Sequence, residues 1–177
     1  MKNVIESYLK KSKRNIDNLL NFENKEIILS AKMLVKTIKQ DKKILICGNG
    51  GSAAIANHYI CDYLKLLRYN TKFKPKTISL VNNIETLTAI SNDYDYSEVF
   101  KYQAESLAEK GDIFIIVSSS GNSENIKEII KFARKNKIKT IGFSGFQGGY
   151  LKKKSDISIH INANNYGISE DTHHILM

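Results

Sequence analysis

Five short β-rich runs punctuate the chain from residue 43 onward: Lys43–Cys47, Lys76–Val81, Ile113–Ser118, Thr140–Ser144 and Ile157–Ile161. The first four are nearly unbroken apolar stretches. That is the pattern of central parallel strands covered on both faces. Segments with helical spacing separate them: Ser52–Leu67, Ile84–Ser91 with Val99–Glu109, Glu124–Lys135 and Gln147–Lys154. Alternating β and α elements of this kind predict an α/β sandwich with a mostly parallel sheet. Ahead of the first strand, residues 1–22 carry Ile5, Leu9, Ile16, Leu19 and Leu20 at mostly helical spacing, and residues 25–40 carry Ile27, Ala31, Leu34 and Ile38 in 4-3-4 steps. These two amphipathic helices predict an N-terminal helical layer or an oligomer contact.

At 177 residues the chain is expected to be one domain, with residues 1–40 as a helical segment and 41–177 as the α/β core. It has no apolar run of transmembrane length and no signal-peptide core, so a cytoplasmic protein is expected. Cys47 and Cys61 lack the spacing of a redox or zinc motif and read as reduced core residues. The net charge of +9 invites an anionic partner, but 24 of the 27 basic residues are lysines spread along the chain. They read as a solvated surface whose diffuse field helps gather phosphorylated metabolites. No helix-turn-helix, aromatic-interleaved basic strand or dense Arg cluster supports nucleic-acid binding.

Parallel sheets bind ligands beyond the carboxyl ends of their strands, so the chemistry belongs on the loops there. The loop after the first strand reads Cys47-Gly48-Asn49-Gly50-Gly51-Ser52. Its glycines permit positive φ and close backbone approach, and Ser52 is expected to cap the helix that follows. The spacing is neither a dinucleotide fingerprint nor a Walker A motif. After the third strand comes Val117-Ser118-Ser119-Ser120-Gly121-Asn122-Ser123-Glu124. Hydroxyls and backbone N–H groups at a helix start form a cup for a phosphate without any cationic side chain. His58 and Asp62 share one helix face at i, i+4, as do Glu170 and His174. The four can make a tetrahedral metal site if their helices meet, and are otherwise two unrelated surface pairs.

Together the turns Gly48–Ser52 and Ser118–Ser123, with Ser91-Asn92-Asp93-Tyr94 after strand two and Ser144-Gly145 before Gly148-Gly149 after strand four, resemble the SIS (sugar isomerase) domain. The resemblance is to its phosphoheptose isomerase branch and runs over roughly residues 1–166. It implies a three-layer, flavodoxin- or Rossmann-like sandwich with a five-stranded parallel sheet, assembled as a homotetramer with active sites between subunits. It also implies aldose–ketose isomerisation of sedoheptulose 7-phosphate to D-glycero-D-manno-heptose 7-phosphate, for lipopolysaccharide or capsule heptose. By the same resemblance, Ser118, Ser119, Ser120 and Ser123 take the phosphate with Ser52 nearby. Asn49, Gly50, Gly51, Asn92 and Asp93 hold sugar hydroxyls, joined at the substrate by Glu170.

The family binds one zinc ion per subunit through a His and a Glu on the first helix and a Gln and a His on the C-terminal helix. The first His falls on His58. The Glu, also the general base, falls on Asp62, which is one methylene shorter. The Gln falls on Glu170, which adds a negative charge. Anchored on Tyr166, the last His falls one position past Met177; a four-residue gap places it on His174, the acid partner of Asp62. His173 lies on a neighbouring face, outside the ligand set. The chain ends within a helix, as a truncated product would. The departures at positions 62 and 170 leave a second expectation open: a non-catalytic SIS adaptor that binds a phosphosugar or the replication initiator DnaA.

Overall fold

The computed structural model describes residues 1–21 and 25–177. Helices α1 (Lys2–Asn21) and α2 (Lys25–Lys39) precede strand β1 (Lys43–Gly48). Residue 22, the expected end of the first helix, lies outside the described residues, as does the side chain of Leu20. Next come α3 (Gly51–Cys61), a π-helical turn over Asp62–Leu67, a short α4 (Arg68–Asn70) and β2 (Lys76–Ser79). Helix α5 (Ile84–Asp93), a 3₁₀ turn (Tyr96–Glu98) and α6 (Val99–Leu107) lead to β3 (Ile113–Ser118). The chain finishes with α7 (Glu124–Lys135), β4 (Lys139–Ser144), α8 (Gly149–Lys154), β5 (Ile157–His160) and α9 (Tyr166–Leu176).

The five strands form one parallel sheet in the order β2-β1-β3-β4-β5. Alternate residues of each strand face opposite layers, because side chains in a strand have a period of two. Leu45, Cys47, Phe114 and Ile116 pack against α5 to α8 through Ile90, Phe100, Ile126, Ile129 and Leu151. On the other face Ile44, Ile46, Ile115, Ile141, Phe143 and Ile159 meet Ala56 and Tyr59 of α3, Leu34 and Ile38 of α2 and Leu176 of α9. This is the expected three-layer sandwich. The burial of β1 and β3 on both faces accounts for their unbroken apolar runs.

Three local expectations change. Cys61 is exposed, not a core residue; only Cys47 is buried. Ile60 and Tyr59 precede it, but position 61 shares the exposed face of α3 with His58. Helix α8 starts at Gly149 rather than residue 147, because Gly148 sits in the left-handed region at φ 78°. The helix after the first loop does not run evenly to Leu67: its backbone ladder slips into the wider π form at Asp62.

Candidate active site

Strands β1 and β3 are neighbours, with Gly48 opposite Val117, so the glycine turn and the serine turn leave the same edge of the sheet side by side. Gly48 must be glycine: a Cβ there would stand 2.8 Å from the carbonyl oxygens of Val117 and Ser52. Gly50, at φ 56°, provides the reversal that starts α3. Ser52 does not cap that helix as expected; it is buried inside the first turn, the capping position is Gly50, and no side chain caps the end. The backbone N–H of Ser52 donates to the carbonyl of Asn49 at 3.0 Å.

The serine turn is folded by its own hydroxyls. Ser118 Oγ accepts from the Gly121 N–H at 3.2 Å, and Ser120 Oγ from the Asn122 N–H at 3.4 Å. Ser123 stands at the N-cap of α7 but makes no capping hydrogen bond with its side chain. Ser119 is 4% exposed and its hydroxyl has no partner. A buried unpaired hydroxyl is costly to the fold. The β4–α8 loop and the first turn of α8 brace the serine turn. Gly145 N–H donates to the Ser119 carbonyl at 2.9 Å, Leu151 N–H to the Gly121 carbonyl at 3.0 Å, and Tyr150 N–H to Asn122 Oδ1 at 3.0 Å.

Asn92 and Asp93 close α5, both exposed, with Asn92 Nδ2 donating to Asp93 Oδ1 at 2.9 Å. It is Tyr96, just beyond them, that reaches the glycine turn: its hydroxyl donates to Asn49 Oδ1 at 2.9 Å. Asn49 also forms a reciprocal amide pair with Asn125 in the first turn of α7, both bonds 2.9 Å long. Tyr96 and Asn125 escape sequence reading because a Tyr or Asn beside a turn carries no periodic signal of what it bonds.

Helix α9 lies along α3. Glu170 packs on the α carbon of Gly51, and further along the ring of His174 meets that of His58 edge-on, centroids 4.5 Å apart. His58 Nε2 is 3.3 Å from Asp62 Oδ2. Partial burial, then the charge of Asp171, raises the Glu170 carboxyl above its ordinary range. Asp171 itself accepts from the Tyr8 hydroxyl at 3.2 Å, which ties α1 to α9. His173 is fully buried and edge-on to Phe143; burial pushes it down to about 4, so it is neutral at pH 7 and faces away from His58. Two imidazoles and a carboxylate centred on His58 are the donor chemistry of a zinc site. Among the described residues no three such side chains stand close enough together to close a shell.

The SIS domain sequence pattern matches residues 7–145. The chain is 36% identical to the phosphoheptose isomerase of Campylobacter concisus (strain 13826) over 174 residues, 98% of this chain and 88% of that protein. It is 38% identical to the phosphoheptose isomerase of Clostridium acetobutylicum over 161 residues, 90% of this chain and 82% of that protein. Among solved structures, phosphoheptose isomerase GmhA from Neisseria gonorrhoeae superposes with a TM-score of 0.91 at 26% identity, covering 99% of this chain and 93% of that one.

Proposed function

The chain belongs to the SIS-domain family, among the phosphoheptose isomerases, and we propose from this premise how its site works. It isomerises sedoheptulose 7-phosphate to D-glycero-D-manno-heptose 7-phosphate. One observation carries the reading: the glycine and serine turns leave one sheet edge together, and His58, Asp62 and His174 gather on the α3–α9 face that begins at the glycine turn. The phosphate sits on Ser118, Ser119, Ser120 and Ser123, with Ser52 beneath. Asn49, Gly50, Gly51, Asn92, Asp93 and Glu170 face the sugar.

Isomerisation moves one proton from C1 to C2 and another from O1 to O2. Asp62 takes the C1 proton of the ketose and returns it to C2 of the enediolate. His174 carries the proton between the oxygens. A carboxylate suits the first task and an imidazole the second, and each is worth ~10²–10⁴-fold. The zinc ion that the family resemblance implies would supply a Lewis acid for the carbonyl, but His58, Asp62, Glu170 and His174 do not close a shell for it among the described residues, and no step here passes through a metal. The exposed apolar residues Val4, Ile5 and Leu9 of α1 and Ile28 and Leu29 of α2 support a homotetramer. No helix among the described residues is long and apolar enough to cross a membrane, and we place the enzyme in the cytoplasm, supplying heptose for lipopolysaccharide or capsule.

The test is an isomerase assay on sedoheptulose 7-phosphate with and without chelator, beside Asp62→Ala. Turnover that disappears in Asp62→Ala supports the base; unchanged turnover eliminates it. The shorter acid at position 62 favours one second reading, a non-catalytic SIS adaptor for a phosphosugar or DnaA. Tight initiator binding without turnover would select it.

A further inference from the structure

The side chain of Asn49 is largely consumed by the protein. One amide hydrogen goes to Asn125 Oδ1, and its oxygen accepts from both Asn125 Nδ2 and the Tyr96 hydroxyl. A primary amide has four hydrogen-bonding positions. If both amides are turned over, the Tyr96 oxygen accepts instead of donating, and three of the four are still occupied. Asn49 therefore has one position left for a ligand.

The partners come from different places. Asn49 follows β1, Tyr96 lies in the segment after β2, and Asn125 opens the helix after β3. Three loops at the carboxyl edge are thus pinned through one amide. Asn125 is 2% exposed, so it is a fixed anchor, whereas Tyr96 is 52% exposed at the rim.

We propose that Tyr96 and Asn125 are positioning residues of the site: acting through Asn49, they hold the glycine turn at a set distance from the serine turn before any sugar phosphate arrives. Groups fixed in advance spare the ligand the cost of ordering them. The proposal rests on the isomerase reading above. An amide that serves ground state and transition state alike affects KM more than kcat.

The experiment is a double-mutant cycle on the full chain, comparing the unaltered protein with Tyr96→Phe, Asn49→Ala and the pair. Steady-state kinetics use sedoheptulose 7-phosphate, and calorimetry gives its Kd. Loss of this hydrogen bond loosens the glycine turn and should raise KM and Kd roughly three- to tenfold in Tyr96→Phe, with kcat within about twofold and Tm lowered by only a few degrees. In the Asn49→Ala background the same exchange should leave both constants unchanged. Full multiplicative effects in the double variant, or no effect of Tyr96→Phe alone, overturn the proposal. Asn125→Asp sets oxygen against oxygen in the amide pair and should also raise Kd; a lowered Tm with unaltered Kd removes Asn125 from the role. If the unaltered chain binds the sugar phosphate without turning it over, the isomerase reading falls, and the cycle in Kd still decides the positioning claim. Absence of both binding and turnover overturns both.

Discussion

The carboxylate of Glu170 rests against the α carbon of Gly51, so closely that a side chain at position 51 would occupy the same space. The last helix thereby docks on the first turn of α3, and the glycine there serves a packing need besides its part in a turn. The contact is one of proximity between a charged group and a helix start, where backbone N–H groups favour an anion.

Gly51→Ala should push Glu170 off this seat. Its side chain is flexible, so the fold adapts at a cost of ~1–3 kcal/mol, about 2–4 °C in melting temperature per kcal/mol for a chain of this size. Isomerase turnover should fall by about tenfold or more. Adding Glu170→Ala should restore the melting temperature but not the turnover. Thermal melts and the assay, run on both variants, check this.

Ser119 carries a buried hydroxyl with no partner. Ser119→Ala should therefore leave thermal stability equal or higher, by up to ~1 kcal/mol, because an unmet polar group is removed. Affinity for sedoheptulose 7-phosphate should fall. A drop in stability with unchanged affinity would show that the hydroxyl serves the fold.

Gly121 has φ 66°, and a Cβ on it would strike the carbonyl of Gly148 in the bracing loop. Gly121→Ala combines left-handed strain with a backbone clash, so a loss of ~2–4 kcal/mol is expected by chemical denaturation. Phosphosugar binding should weaken with it, since the serine turn and its brace must part.

Asp156 anchors the start of β5 to β4. It pairs with Lys139 at 2.5 Å and accepts from Thr140 N–H at 2.9 Å and Thr140 Oγ1 at 3.0 Å. Partial burial works against the charge, but these partners prevail and hold the carboxyl below its ordinary 3.8. A depressed carboxyl stabilises the fold above its unfolded value, and that contribution is lost as pH falls through the folded one. Asp156→Asn should thus lower Tm at pH 7, and the difference should shrink as pH falls below the ordinary 3.8. Melting curves across that range test the sign.

The sheet was legible because burial on both faces leaves a plain mark: Ile44–Cys47 and Ile113–Val117 have no room for polar residues. The turns were legible because glycines at Gly50 and Gly121 answer to positive φ. What escaped depends on how distant elements meet. The Asn49–Asn125 pair joins residues 76 apart, and no local period announces it. Cys61 is exposed because its helical phase points outward with His58, which Tyr59 and Ile60 before it do not announce. The pairing of His58 with Asp62 follows from i, i+4 spacing, but the approach of His174 to His58 required the docking of α9.

The slip of the backbone ladder at Asp62 separates two angular frames on one rod. Upstream, His58 keeps its bearing on α9. Downstream, residues through Leu67 follow a wider spiral and take their bearing from the core, where Tyr63 stacks on Tyr59. Leu64 and Leu66 on that wider spiral face outward, while the stack of Tyr63 on Tyr59 spans the joint and ties the spiral back to α3.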